Sequence, residues 1–415
     1  MTEVRCPHCQ APNPVDEVYT GQRLRCAQCA AIIVLEVAPT TAAEPRATPP
    51  TAPAARRPRP PETVEARAQR ILGSWLDLEA KDVVDALARI AAGTAYRQWQ
   101  VPKPNGTTRT ITAPDDGLKG VQRRILDRFL YRIPISNAAH GFVTSRSIVT
   151  NARAHLETAQ ELLNYDLKDA FPSVLRDRVR HLFVRHVKIP LKHLGETADQ
   201  AVAGRIVDML VELTTYAGSL PQGAPTSGCL LNIACIKLDK YLLKFLGEFD
   251  HALRYTRYAD DLTISGPDAI PSEVHQQVQK IVRHCGYTLN PEKMRHLSVA
   301  RGQRLEVTGL ILDKGQLRIP RDRLDAYRAA IYQASKLDVL PEETQLEIQS
   351  TVAFVKMVYR RLPSRIAIPY TAFLQKHGLR AAGTGPRMGL DLYPDGQKPP
   401  ALGSDPPGTP LSAEE

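Results

Sequence analysis

The stretch RYADDLTIS, Arg257 to Ser265, sets two aspartates side by side between two arms that read as strands. Tyr255, Arg257 and Ala259 fall on one face of the first arm, and Thr256, Tyr258 and Asp260 on the other. Leu262, Thr263 and Ile264 resume a strand after the pair. Two readings are open. An Asp-Asp pair at the tip of a hairpin serves as a solvated acidic turn. It serves equally as half of a metal site, because adjacent carboxylates repel and are costly to hold together unless a cation neutralises them.

A second acidic strand end lies upstream, in LLNYDLKDAFPSV. Asp166 follows an apolar strand there, with Phe171 five residues later. A third carboxylate from a separate strand is what a two-Mg2+ site requires, since two ions about 3.5–4 Å apart clamp the attacking and leaving oxygens of a phosphoryl displacement. Mg2+ prefers hard oxygen ligands and keeps water and substrate phosphates as the rest of its shell. In this reading Asp166 and Asp260 bridge the ions and Asp261 assists.

DLKDAF, PQGAPTSGCLLNIACIKLD and YADD, in that order, resemble the palm motifs of reverse transcriptases. WQVPKPNGTTRTITAP resembles the fingers hairpin of that family, and LNPEKM and LEVTGLIL its later palm strands, so the resemblance covers about 65–380. Asn151-Ala-Arg-Ala-His155 is similar to the N-A-x-x-H signature of bacterial retron reverse transcriptases, and Val307-Thr308-Gly309 to their V-T-G signature. The resemblance implies an α+β right-hand polymerase of fingers, palm and thumb. The implied activity is RNA-directed DNA synthesis on a cognate noncoding RNA that is both template and primer. The product is a branched RNA–DNA hybrid, with antiphage defence and an effector protein in the background.

Residue roles follow from the same resemblance. Asp166, Asp260 and Asp261 hold two catalytic Mg2+. Phe171 lies under the sugar of the incoming dNTP, where a bulky ring clashes with a 2′-hydroxyl. Gln222 packs on the nucleotide and template, and Gly223 lets the backbone come close. Lys103 and Arg109 reach the triphosphate, where fixed cations stabilise developing charge. Lys293 stands where a general acid for the pyrophosphate leaving group belongs. Asn151, His155, Val307, Thr308 and Gly309 are expected at the noncoding RNA. Plainer readings stand beside these: Asn151 and His155 share a helix face and would brace the palm, Phe171 would be a core ring, and Lys293 a surface lysine. Two other functions stay open, a different prokaryotic reverse transcriptase (defence-associated or intron-like) and a non-catalytic RNA-binding scaffold.

The rest of the chain frames these motifs. Its 415 residues carry 54 Lys plus Arg against 44 Asp plus Glu, a net charge of +10 that suits a polyanionic partner. MTEVRCPHCQ has no basic and apolar leader pattern, and no apolar run is long enough for a membrane span, so a cytoplasmic protein without membrane contact is expected. Cys6, Cys9, Cys26 and Cys29 form C-x2-C-x16-C-x2-C, the spacing of a closed, structural four-cysteine Zn2+ ribbon over 1–36. His8 lies between them and is not read as a ligand. Cys229, Cys235 and Cys285 read as buried small hydrophobes.

A Pro/Ala-rich linker over 37–62 follows the ribbon, then fingers and palm over 63–320. A helical thumb is expected over 321–380, its Arg321, Arg323, Arg328, Lys336, Lys356, Arg360, Arg361 and Arg365 tracking a duplex backbone, and a disordered tail over 381–415. Local patterning predicts helices over 63–95, 117–133, 226–246 and 272–286, a hairpin over 96–113 turning at Asn105-Gly106, and a strand pair over 304–319.

Overall fold

The computed structural model describes residues 2–6, 8–15, 23–26, 28–29, 32–34, 62–102, 106, 108–187 and 200–380. The linker as far as residue 61, the tail over 381–415, Lys103 and Asn105 lie outside the described residues. The chain divides into two units at Pro61 and Glu62.

The first unit consists of two short antiparallel pairs, β1 (Thr2–Arg5) with β2 (Pro12–Val15) and β3 (Arg23–Arg25) with β4 (Ile32–Val34). Each pair is interrupted by a Cys-x-x-Cys turn. Among the described side chains only Cys6, Asn13, Cys26 and Ile33 are buried, far too few to stabilise a fold by apolar burial.

The second unit begins with helices α1 (Val64–Leu76) and α2 (Ala80–Ala91). The helical pattern over 63–95 is thus two helices. Thr63 caps the first through a bond from Ala66 N, and Asp77, in the left-handed region at φ 57°, ends it. Strands β5 (Tyr96–Pro102) and β6 (Thr108–Pro114) make the hairpin expected over 96–113, with Val101 opposite Arg109. Helix α3 (Asp116–Arg128) follows and ends in a 3-10 turn over Leu130–Arg132.

The centre of the unit is a four-stranded antiparallel sheet built from β7 (Glu161–Asp166), β8 (Arg254–Tyr258), β9 (Asp261–Gly266) and β10 (Arg295–Ser298), in spatial order β10-β7-β9-β8. Period-two alternation along β7 divides its side chains. Leu163 and Tyr165 join the larger apolar core, and Leu162 joins a second core on the other face. Asn164 and Asp166 share Leu162's face. The larger core is completed by α5 (Arg176–His186), α6 (Gln200–Thr214), α7 (Ser227–Ala234), α8 (Ile236–Phe249) and α9 (Ser272–His284). The single helix expected over 226–246 breaks at Cys235 into α7 and α8. Cys229, Cys235 and Cys285 are all buried.

The second core joins a short helix, α4 (Ile148–Arg153), to three strands, β11 (Leu305–Val307), β12 (Leu310–Asp313) and β13 (Gln316–Arg318), where two were expected. It also takes in three C-terminal helices, α10 (Arg321–Ala334), α11 (Glu342–Tyr359) and α12 (Ser364–Lys376). None of the described helices is long and apolar enough to cross a membrane.

Candidate active site

The sheet brings the sequence's separated acids together by register. β7 and β9 pair so that Asp166 lies directly opposite Asp261, and β8 and β9 pair so that Tyr258 lies opposite Asp261. Ala259 and Asp260 form the two-residue turn between them. The alternation read from the sequence therefore stops at Tyr258. Ala259 is left-handed at φ 56°, Asp260 belongs to the turn, and Asp261 already opens the return strand. The turn is bonded to the neighbouring strand, Leu167 N donating to the Asp260 carbonyl at 2.9 Å.

Like charges directly opposite each other on two strands destabilise a sheet. Asp166 is only 6% exposed, and a cation is already beside it: Lys293 Nζ donates to Asp166 Oδ1 at 2.7 Å. Partial burial pulls the lysine's pKa down, but the bond to Asp166 and the charges of Asp166, Asp260 and Asp261 outweigh it and raise the pKa above its ordinary value. A set of hard carboxylate oxygens that attracts an ammonium suits Mg2+ in kind. The aspartate set is more open than a closed metal cage. Among the described residues, only the four cysteines gather ligand atoms that all lie within 4.8 Å of one another.

The turn is held from beneath by a network that sequence reading missed. Arg257 is fully buried, and its guanidinium grips Asp239, also fully buried, through Nε to Oδ1 at 2.8 Å and Nη2 to Oδ2 at 2.7 Å. Its Nη1 donates to Asn232 Oδ1 at 2.9 Å and to the carbonyl of Ala259, inside the turn, at 3.0 Å. Tyr255 adds a hydroxyl bond to Asp239 Oδ1 at 2.9 Å. Burial, then the Asp239 charge, pushes that phenol's pKa far up, so it remains a donor. Asn232 in turn donates to the Gly141 carbonyl at 2.7 Å. Gly141 is pressed against the turn so closely that a Cβ there would stand 2.5 Å from Ala259 N. The signal was present in the sequence: an arginine in a core strand demands a buried acid.

Around this centre lie the other expected residues. Gln222 accepts a backbone bond from Thr112 N at 2.8 Å, which seats the Gln222-Gly223 loop against the β5–β6 hairpin. Gly223 needs its φ of 128° and its lack of a side chain, since a Cβ would meet the Thr112 carbonyl oxygen at 3.1 Å. Arg109 is half-buried on β6, and its Nε has no hydrogen-bond partner among the described residues. Phe171 is half-buried in the turn after β7. A cavity of about 290 Å3 opens on the Asp166 face, lined by Asn164, Asp166, Asp261, Lys293, Thr308 and Gly309.

Asn151 and His155 are inside the protein. His155 is 0% exposed and bonds Ser265 Oγ of β9 through Nδ1 and Thr256 Oγ1 of β8 through Nε2, both at 2.7 Å. Burial, with a smaller contribution from the His140 charge, lowers its pKa to about 3, so the ring is neutral. Asn151 is buried too and donates to Thr308 Oγ1 at 3.4 Å. Their surroundings are those of braces between elements, and neither side chain reaches the surface. Val307 is buried, and Thr308 and Gly309, both left-handed, make the β11–β12 turn. Arg323 of α10 donates to the Gly309 carbonyl at 3.2 Å.

In the first unit the four thiols converge. Cys6 Sγ lies 3.6 Å from Cys29 Sγ, and Cys9 Sγ lies 3.5 Å from Cys26 Sγ. Four thiolates roughly 2.3 Å from a central Zn2+ give tetrahedron edges of roughly 3.8 Å, so the spacing fits that ion. Asn13 Nδ2 lies 3.7 Å from Cys26 Sγ, as a donor to a thiolate would.

Comparison with known proteins places the chain in a family. The family described as "Reverse transcriptase (RNA-dependent DNA polymerase)" matches residues 101–336. The retron Mx162 reverse transcriptase of Myxococcus xanthus is 38% identical over 293 residues, 65% of this chain and 59% of that protein. The retron Mx65 reverse transcriptase of the same organism is 34% identical, over 66% of this chain and 63% of that protein. The retron Ec86 reverse transcriptase of Escherichia coli is 33% identical, over 57% of this chain and 69% of that protein. The chain thus spans about three-fifths of the length of the two Myxococcus proteins. By family match and by these relatives, the chain belongs to the reverse transcriptase (RNA-dependent DNA polymerase) family, among the retron-type enzymes.

Proposed function

We propose that the protein is the RNA-directed DNA polymerase of a bacterial retron, copying a noncoding RNA into a branched, RNA-linked single-stranded DNA. The observation that carries this reading is the register that sets Asp166 opposite Asp261, with Asp260 on the braced turn beside them. Asp166, Asp260 and Asp261 would hold two Mg2+, which when bound supply an activated attacking oxygen and neutralise charge on the leaving group. The remaining work falls to the chain. A hydroxyl of the primer, in this reading a 2′-hydroxyl of the RNA, attacks the α-phosphorus of a dNTP. The new phosphodiester bond forms as the bond to the β-phosphate's bridging oxygen breaks and pyrophosphate leaves.

Arg109 would meet the triphosphate with its unused donor, and Lys103 would join it. Gln222, held against the fingers hairpin, would pack on the base pair being formed. Phe171 would exclude a ribose 2′-hydroxyl. Lys293, which donates to Asp166 Oδ1 at 2.7 Å, would transfer a proton to the pyrophosphate as it leaves. The helices α10 to α12 would follow the template–primer duplex through phosphate contacts. The four cysteines would hold one structural Zn2+, whose unit would grip structured RNA or recruit a protein. Antiphage defence in the cytoplasm, with an effector protein as partner, completes the proposal.

The test is synthesis by the full chain co-expressed with its flanking DNA, wild type against Asp260→Ala plus Asp261→Ala. RNase-resistant single-stranded DNA from wild type alone, joined to an RNA stub, supports the reading. DNA without an RNA joint removes the retron assignment but keeps the polymerase. No DNA from either protein with RNA template, Mg2+ and dNTPs puts an RNA-binding scaffold in its place.

A further inference from the structure

The mechanism above leaves unused a strained aromatic residue in contact with Phe171. Phe142 has φ 56°, a conformation that a bulky side chain adopts only when its surroundings over-determine it. Its surroundings do so from two sides. The preceding residues are tied to the acidic turn: His140 N donates to the Arg257 carbonyl at 2.7 Å, and Gly141 is pinned by Asn232 and packed on Ala259. Beyond them the Phe142 ring lies flat against Gly228 of α7. A Cβ added to Gly228 would stand 2.4–2.8 Å from the ring atoms Cγ, Cδ1 and Cδ2, so the ring occupies the space that any other residue would fill.

The ring held in this way meets Phe171. The two centroids are 6.1 Å apart with an interplanar angle of 73°, an edge-to-face contact. Phe171 is half-buried, at the end of a turn in which Asp169 is itself left-handed. The turn is closed by Ser173 N donating to the Asp169 carbonyl at 2.9 Å. A half-exposed ring needs a rigid neighbour to keep one position, and discrimination by steric exclusion needs that position fixed. One tripeptide, His140-Gly141-Phe142, therefore touches both the metal-binding turn and the ring under the sugar.

We infer that Phe142 is a positioning residue for sugar selectivity. Wedged between Gly228 and Phe171, it sets the height of the Phe171 ring and so the exclusion of ribonucleotides. The inference rests on the reading of Phe171 given above, and the experiment separates the two. The selectivity, kcat/KM for a dNTP over kcat/KM for the matching rNTP, is measured on a primed RNA template for wild type, Phe171→Ala, Phe142→Ala, Phe142→Leu and Gly228→Ala. Phe171→Ala should lower the ratio by at least tenfold. Phe142→Ala and Gly228→Ala should each lower it by about three- to tenfold, within the range that small steric changes give. Phe142→Leu, which keeps most of the volume and removes the flat edge, should fall between them and wild type. A residue that merely fills the core would slow both nucleotides alike and leave the ratio where it was. An unchanged ratio in the Phe142 and Gly228 variants, alongside a relaxed Phe171→Ala, overturns the inference and leaves the Phe171 reading intact. An unchanged ratio in Phe171→Ala overturns both. If Phe142→Ala does not fold, Phe142→Leu and Gly228→Ala carry the same comparison.

Discussion

The acidic turn of the palm and the first cysteine turn of the N-terminal unit both pass through the left-handed region at a non-glycine residue, Ala259 at φ 56° and Gln10 at φ 62°. They are held by different means. Under Ala259 sits a guanidinium with its own buried acid, and around it a large apolar core. At the cysteine turn the described support is two backbone bonds, Cys6 N to the Ala11 carbonyl and Gln10 N to the Cys6 carbonyl, both 2.9 Å, one side-chain bond from Asn13 Nδ2 to the Ala11 carbonyl at 2.9 Å, and the sulfurs themselves. The contrast is between a turn braced by buried side chains of its own and one with almost no buried side chains around it. On the proposed reading, metal binding would add chemistry in the first case and would supply the fold in the second.

Metal removal should show the largest effect and divides the two regions most sharply. Chelation with EDTA should abolish DNA synthesis, a loss of at least about a thousandfold. It should leave the thermal unfolding of the main unit unchanged. A chelator strong enough to strip Zn2+, or Cys6→Ser with Cys26→Ser, should open residues 2–34 to proteolysis. Metal analysis of the untreated protein should find one Zn2+ per chain. Protease resistance that survives the loss of the metal would contradict the comparison.

Next in size is the brace itself. Arg257→Met leaves Asp239 charged and buried, which costs about 3–5 kcal/mol in unfolding experiments. Arg257→Met combined with Asp239→Leu removes both charges and should recover most of that stability. It should not recover synthesis, because the Ala259 carbonyl still lacks its donor. The Mg2+ concentration for half-maximal rate should rise about tenfold in the double variant. A double variant with wild-type Mg2+ dependence would mean that the turn holds its shape without the arginine.

The brace also marks where the sequence stops being legible. That Asp166 and Asp261 come together was legible because one ends and the other opens an apolar strand in motifs of fixed order, with Asp260 in the turn beside them. The clustering of the four cysteines was legible because each Cys-x-x-Cys turn is local. Arg257 was visible in the quoted stretch, but its partners Asp239 and Asn232 lie 18 and 25 residues away on two helices that read as one. The break at Cys235 that separates those helices carries no Gly or Pro to announce it. Asn151 and His155 show the opposite difficulty. Their motif was visible and left two readings open, an internal brace and a contact with RNA; the packing turns both side chains inward, with Asn151 inside the helix Ile148–Arg153 and His155 in the turn that follows it. Burial depends on which elements close over a residue, and that is a property of the tertiary fold.

The smallest expected effect concerns that inward turn and extends the comparison to acid. Low pH should act on the cysteine unit by protonating thiolates, with loss of metal. On the palm it should act through histidines kept neutral by burial. His155 falls from an ordinary value of 6.5 to about 3, and His140 to about 4 through burial and the Arg146 charge. A lowered pKa means that the unfolded chain takes up a proton below pH 6.5 that the fold refuses. The stability held by neutral His155 is therefore complete above pH 6.5 and declines as pH falls towards 3. At pH 5 the decline is about 2 kcal/mol for this one residue. His155→Gln keeps a side chain able to bond Thr256 or Ser265 and cannot titrate. Urea unfolding at pH 7.5 and pH 5 should then show the wild type losing about 2 kcal/mol more than the variant. Equal losses would place His155 in contact with water, where it could meet RNA after all. A larger loss in wild type places it in the sheet, where it ties α-helical residues 148–153 to the two strands that carry the acidic turn.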